Sequence, residues 1–189
     1  LYLTGTGREF LIKALNRTGR RMIRYLGNDK ERFDFCDSLE ISDEKITGTV
    51  KKHEAVVDEY TRLQTVNQMD VIRTVAFTFN LASKPFRVTC GLLGALSYDF
   101  IDQFEKLPQN QNDLLGNPDY ELYFADNIFI VDHEAGKSYV VVNVIITDDQ
   151  REGIIQEARE RFDYYYNVAR FETPAGKRYD DKLDEPDSD

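Results

Sequence analysis

Cysteine is scarce in this chain: Cys36 and Cys90 stand alone among 189 residues, and neither sits in a Cys-x-x-Cys or metal-ligand spacing. That spacing excludes a dithiol redox motif and a zinc-ligand set. Cys90, placed in an apolar run, reads as a small buried thiol and not a reactive one. Positive charge is short as well. Twenty-four Lys and Arg face 34 Asp and Glu, for a formal charge of −10, which argues against a nucleic-acid or anionic-membrane partner because binding phosphate depends largely on Lys and Arg. No apolar run approaches the roughly 20 residues of a membrane span, and no basic-then-apolar leader is present. The expectation is a cytoplasmic protein. Because the chain opens on Leu1 and strand-like residues, it is also expected to be a piece of a longer polypeptide.

What is present is a globular composition, 41% hydrophobic and 12% aromatic, with a negative mean hydropathy that implies a well-solvated surface. The length suits one ordinary domain, read here as residues 1–170, followed by an acidic linker or disordered tail over 171–189. That tail carries seven acids against three bases, two prolines and no periodic apolar pattern.

Residues 1 to 4 and 9 to 15 read as two short strands around the turn Gly5-Thr6-Gly7. This turn lacks the final glycine, Lys and Ser/Thr of a phosphate loop. Met22, Ile23 and Leu26 form a short helical stripe ending near Gly27. Arg17, Arg20, Arg21 and Arg24 surround it as a solvated or ion-paired face. Phe33 to His53 alternates as a hairpin turning at Asp43-Glu44, and His53 has no nucleophile or carboxylate at a telling spacing. Asn67 caps a predicted helix to Asn80 whose apolar positions, Met69, Val71, Ile72, Val75, Ala76 and Phe79, fit a period near 3.6. A polar surface loop is expected over Gln109 to Pro118. Tyr120 to Val131 and Lys137 to Ile146 form a hairpin whose turn holds Asp132 and His133, which on a strand point to opposite faces and make a poor proton relay. Thr147-Asp148-Asp149-Gln150 is a capping box for a helix to about Asn167, with Ile154, Ile155, Ala158, Phe162 and Tyr165 on one face.

The densest stretch runs from Val88 to Pro108. Val88 to Leu96 is apolar except for Thr89, and it is predicted to be a buried strand feeding a helix that begins at Ser97-Tyr98-Asp99 and stops at Pro108. Gly91 and Gly94 within it suggest a bulge or a backbone approaching closely on each side. Asp99, Asp102 and Glu105, spaced by three, could share a helix face as magnesium ligands or an acid/base pair do, but exposed carboxylates opposite the Phe100/Ile101/Phe104 face explain them equally well. The residues by themselves indicate an α+β domain, mainly antiparallel sheet with packed helices, and assign no catalytic, cofactor-binding or metal residue.

Gly91, Gly94, Ser97, Tyr98 and Asp99, followed by Phe104, Glu105 and Pro108, resemble the GG-x-x-SYD…FE-x-LP segment in the N-terminal region of anthranilate synthase component I, the chorismate-using large subunit of tryptophan biosynthesis. Asp58 to Leu63, Pro118 to Tyr123 and Asn127 to His133 resemble further family segments in the same order. The likeness covers roughly residues 1 to 165 and is strongest from 88 to 134, while the first 55 match only in pattern. It implies an antiparallel-sheet domain packed against a C-terminal chorismate-binding domain of the same chain, a glutamine amidotransferase subunit or domain as partner, and possible homo-oligomers. It also implies that the catalytic and Mg2+-binding residues lie in that C-terminal domain, so none carries over to this chain. The family's tryptophan feedback pocket uses a Leu-Leu-Glu-Ser motif and an Asn-Pro-x-Pro-Tyr segment, and neither occurs here. The aminodeoxychorismate synthases of folate synthesis carry a similar Tyr-Asp segment. A stand-alone, non-catalytic small-molecule-binding module is the remaining reading.

Overall fold

Alternation of apolar and polar residues sets the architecture of the chain, seen in a computed structural model that describes residues 1–52, 65–105, 115–146 and 151–170, with backbone alone at 151, 152 and 170. In β1 (Tyr2–Thr6) and β2 (Glu9–Lys13), Leu3, Phe10 and Ile12 point to one side of a pleated hairpin and are buried, while Tyr2, Thr4 and Leu11 point to the other. Three further strands repeat the pattern: β3 (Cys36–Ile41), β4 (Lys45–Val50) and β6 (Tyr120–Ala125). With β5 (Gly91–Leu96) they make a six-stranded sheet in the order β3-β4-β2-β1-β6-β5, antiparallel at every step. The fold is therefore α+β with a mainly antiparallel sheet, as expected.

Two helices cover the buried face. α1 (Arg17–Gly27) starts where the Asn16 side chain accepts from the Gly19 N–H, and it buries Met22, Ile23 and Leu26. α2 (Gln68–Thr78) carries a capping box: Asn67 accepts from the Met69 N–H, and Asp70 accepts from the Asn67 N–H. Its buried positions are Gln68, Val71 and Val75, whereas Ile72 and Phe79, assigned to the stripe from sequence, are half-buried. The helix also ends a turn-fraction early, at Thr78, because Phe79 is already extended. Phe33 and Phe35 close the core beside Phe10, with the Phe10 and Phe33 rings stacked at 6.3 Å.

A second layer stands apart from that sheet. β7 (Asn127–Asp132) and β8 (Lys137–Val142) form a two-stranded antiparallel sheet, and α3 (Arg151–Arg170) lies against it. The single strand predicted over Tyr120 to Val131 is thus two strands belonging to different sheets. The break falls at Asp126, whose carbonyl accepts from both the backbone N–H and the side-chain Nδ2 of Asn143, so the chain turns away from β1 to pair with β8. The Asp132 side chain accepts from the Ala135 N–H, which gives it the turn role expected of it. Of the α3 face predicted from sequence, Ile154 is buried and Ala158 half-buried, while Ile155, Phe162 and Tyr165 are exposed at 43, 41 and 38%. Among the described residues no helix is long and apolar enough to cross a membrane.

The Val88–Pro108 stretch departs most from expectation. Its strand starts only at Gly91 and lies at the sheet's edge, so Leu93 and Leu96 are 54 and 49% exposed and not buried. The predicted helix is one short 3-10 segment, Tyr98–Gln103, that buries only Phe100. His53, the segment 58–63, Pro108, most of the 109–118 loop, the capping box 147–150 and the tail 171–189 lie outside the described residues.

Candidate functional site

The residues singled out from sequence build a corner of the six-stranded sheet. Gly94 presses its Cα against β6: a Cβ there would lie 2.1 Å from the Glu121 carbonyl oxygen and 2.9 Å from Leu122 Cα, and its φ is +156°. Glycine is required at that point by the approach of the neighbouring backbone. Gly91, with φ +150°, has nothing within 4 Å of its missing Cβ, so the close approach expected at both glycines occurs at one. Ser97 then turns the chain. Its N–H donates to the Asp119 carbonyl at 2.8 Å, and its Oγ is buried with no hydrogen-bond partner among the described residues. Tyr98 is 84% exposed and Asp99 is exposed. Phe104 packs edge-on against Phe100 at 5.7 Å, and the Glu105 N–H donates to the Ile101 carbonyl.

Behind this corner lies a polar junction that motif reading missed. Gln68, the first residue of α2, is fully buried. Its Nε2 donates to the carbonyls of Gly7 (3.2 Å) and Glu9 (2.9 Å), and its Oε1 accepts from the Tyr120 hydroxyl at 3.1 Å. Gln103, on the 3-10 turn, donates from Nε2 to the Gly7 carbonyl (2.9 Å) and to Asp119 Oδ2 (3.4 Å), and its Oε1 accepts from the Gln68 N–H. Asp119 Oδ2 also accepts from the Gly7 N–H at 2.8 Å. Five segments meet here, and each polar group is spent on another part of the chain. The signal was in the sequence: Gln68 falls three and seven residues before Val71 and Val75, on the apolar stripe of the helix, where an uncharged polar side chain needs a buried partner.

Two titratable groups in this junction are perturbed. Partial burial raises the Asp119 carboxyl, and the nearby carboxylates of Asp99 and Asp102 push the same way, against the Gly7 and Gln103 hydrogen bonds. Burial, then Asp119, raises the Tyr120 phenol. Among the described residues no group of three or more His, Cys, Asp or Glu, the trio Asp99, Asp102 and Glu105 included, is placed together as a metal-ligand set.

A second polar cluster fastens α3. Arg161 donates from Nη2 to Asp126 Oδ2 and Asn127 Oδ1, both at 2.6 Å, and from Nη1 to Thr18 Oγ1 at 2.7 Å. One turn earlier, Glu157 accepts from Arg21 Nη2 at 2.6 Å. Arg161 lies seven residues after Ile154 on the inward stripe, a position where a charge announces a buried acid. Three of the four arginines of the α1 cluster are spent likewise on internal pairs, Arg20 with Glu44, Arg21 with Glu157 and Arg24 with Asp43. Cys36 is pushed up to about 11 by burial, and half-buried Cys90 is raised by the same cause, so both thiols are held protonated at neutral pH.

Comparison with known proteins gives one consistent name. The chain is 27% identical over 168 residues to the pyocyanine-specific anthranilate synthase component 1 of Pseudomonas aeruginosa, a match covering 82% of this chain and 30% of that protein. It is 30% identical over 80 residues to anthranilate synthase component 1 of Acetivibrio thermocellus, covering 41% of this chain and 16% of that protein. It is 32% identical over 98 residues to the Mycolicibacterium smegmatis protein of the same name, covering 50% of this chain and 18% of that one. No family model matches. The chain is thus related, at low identity, to anthranilate synthase component 1 over less than a third of the length of those relatives.

Proposed function

We propose that the chain is the N-terminal scaffold and regulatory portion of an anthranilate synthase large subunit, a cytoplasmic protein of tryptophan biosynthesis, and that it is inactive by itself. In this reading chorismate and glutamine or ammonia become anthranilate on a chorismate-binding, Mg2+-using domain of the same polypeptide, with a glutamine amidotransferase as nitrogen donor. The observation that carries it is the match of 82% of this chain to 30% of an anthranilate synthase component 1. The geometry supports it: the resemblance segment shapes a structural corner, and the junction behind it spends its polar groups within the chain. The relatives named above all carry the anthranilate synthase name, which supports that branch over the folate one.

Reading the coding sequence beyond Asp189 tests the proposal. A chorismate-binding domain should follow in frame, and a stop codon there would overturn it. Calorimetry with tryptophan separates the reading from a self-contained binding module. Weak or no binding is expected of these 189 residues, because neither tryptophan motif of the family occurs in them, and tight binding would favour the module.

A further inference from the structure

Two strands are shorter in the sheet than their sequence patterns, and both are cut at the same level. Strand-patterned residues run from Val88 to Leu96 and from Tyr120 to Val131, yet β5 begins at Gly91 and β6 ends at Ala125, and those two residues are register partners. Continuing that register would set Cys90 opposite Asp126, Thr89 opposite Asn127 and Val88 opposite Ile128. The Ser97 N–H donates to the Asp119 carbonyl and the Phe124 N–H to the Leu1 carbonyl, so odd-numbered residues of β6 face β5. Alternation then makes Thr89 and Asn127 a hydrogen-bonded pair. Val88 and Ile128 become the closer, non-hydrogen-bonded pair, two β-branched side chains on one face.

Beyond Gly91 and Ala125, polar groups of the β7–β8–α3 layer hold the two chains apart. Asn143 Nδ2 donates to the Thr89 carbonyl at 2.7 Å and to the Asp126 carbonyl at 3.2 Å, occupying the Thr89 acceptor that a longer ladder would use. Arg161 grips the side chains of Asp126 and Asn127 and reaches the Asn143 carbonyl at 3.5 Å. The Thr89 hydroxyl donates to the Phe86 carbonyl, and Val88 is left 56% exposed. Pairing with β8 does not compete for the same edge. The Asn143 N–H donates to the Asp126 carbonyl, and an even-numbered position faces away from β5. Gly91 stands at the fork with φ +150°, a conformation that L side chains rarely adopt, and with open space where a side chain would be, so the chain can swing there without a clash.

We propose that this fork is a two-position zipper: when α3 releases Asp126 and Asn127, residues 88–90 swing about Gly91 and add three pairs to the β5–β6 ladder, and when α3 docks again the fork reopens. The state of the layer is thereby transmitted to the Val88–Leu96 segment while the six-stranded body stays folded. Closing the fork gives up the Asn143 and Thr89 side-chain bonds to carbonyls. In return it pairs the backbones of Thr89 and Asn127 and sets exposed Val88 against Ile128. Two arrangements that trade hydrogen bonds for hydrogen bonds, with one polar clamp selecting between them, have the form of a switch. The device belongs to the fold and holds whatever reaction the parent polypeptide performs.

Disulfide trapping reads the closed fork, because non-hydrogen-bonded strand partners lie within disulfide reach. Val88→Cys is combined with Ile128→Cys in the 189-residue chain carrying Cys36→Ser and Cys90→Ser. The control combines Val88→Cys with Phe129→Cys, whose thiol points to the other face of the strand. The 88/128 pair is expected to cross-link at least about tenfold faster than the control, and Arg161→Met to speed it by about a further tenfold as the closed population grows. Hydrogen exchange of the unaltered chain gives a readout free of substitutions. On raising salt to about 1 M, which screens the clamp, amides of α3 should quicken while that of Thr89 slows, since it gains the Asn127 carbonyl. An 88/128 rate no higher than the control's overturns the proposal and makes the fork a fixed branch of the sheet. So does a rate that Arg161→Met leaves unchanged, or a Thr89 amide that quickens together with α3.

Discussion

The six-stranded body and the β7–β8–α3 layer are held by different physics. In the body, Leu3, Ile12, Ile23, Leu26, Ile46, Val71 and Val75 are all at 0% exposure and form one continuous core. Such burial is worth roughly 1.5–3 kcal/mol per large apolar side chain. In the layer, Ile154 is the one fully buried apolar side chain among the described residues of α3, and the attachment runs through Arg161 to Asp126, Asn127 and Thr18 and through Glu157 to Arg21. Apolar burial is not screened by salt and is spread over many side chains, whereas a few charged hydrogen bonds can be undone one at a time. The body is therefore the stable scaffold and the layer the part that can open alone. Between them, residues 86–96 touch both: Phe86 packs on Tyr139 of β8 at 4.8 Å and the Thr89 carbonyl accepts from Asn143, while Gly91 to Leu96 pair with β6.

The sharpest attack on this comparison is a cavity in the body. Ile12→Ala should lower global stability by about 2–5 kcal/mol, measured by urea unfolding, and should not favour release of α3 over the rest. Next is the junction. Gln68→Leu leaves the carbonyls of Gly7 and Glu9 and the Tyr120 hydroxyl without their partner and should cost about 1–3 kcal/mol, while Gln68→Glu cannot rescue it because a carboxylate offers the carbonyls no donor.

A third substitution, Arg161→Met, should move the global midpoint by less than about 1 kcal/mol, since the layer can detach before the body unfolds. Hydrogen exchange should nevertheless quicken through α3 and β7–β8, and about 1 M salt, which shortens screening to about 3 Å, should produce a weaker form of the same effect in the unaltered chain. Uniform loss of protection in body and layer would erase the distinction. The smallest effect concerns Asp119. Its carboxyl is raised in the folded chain above its ordinary value of 3.8, so the native state binds more protons than the unfolded state in the window just above that value. Stability from this group is complete below the unfolded pKa and falls as pH rises through the folded one. Asp119→Asn should remove that decline, so the variant gains on the parent chain as pH rises through the acid range in thermal melts.

How much of this could be read beforehand follows from what each residue's local pattern encodes. The hairpins β1–β2 and β3–β4 and helices α1 and α2 were readable because alternation, Asn caps and the stripe at 71 and 75 are short-range signals. The break at Asp126 was not, because Tyr120 to Val131 alternates without glycine or proline, and the switch of sheets is set by Asn143, 17 residues away. Likewise the apolar run at 88–96 says that a strand is there but not that it lies at an edge, since strand order is a long-range property. The junction and the Arg161 clamp were visible only as polar residues on otherwise apolar stripes, at positions 68 and 161.

The claim that this chain is a scaffold whose chemistry resides elsewhere is tested most directly by incubating the purified 189-residue protein with chorismate, Mg2+ and ammonia or glutamine and following anthranilate by its fluorescence. The account predicts no anthranilate above the protein-free control; turnover that scales with the concentration of the chain would contradict it.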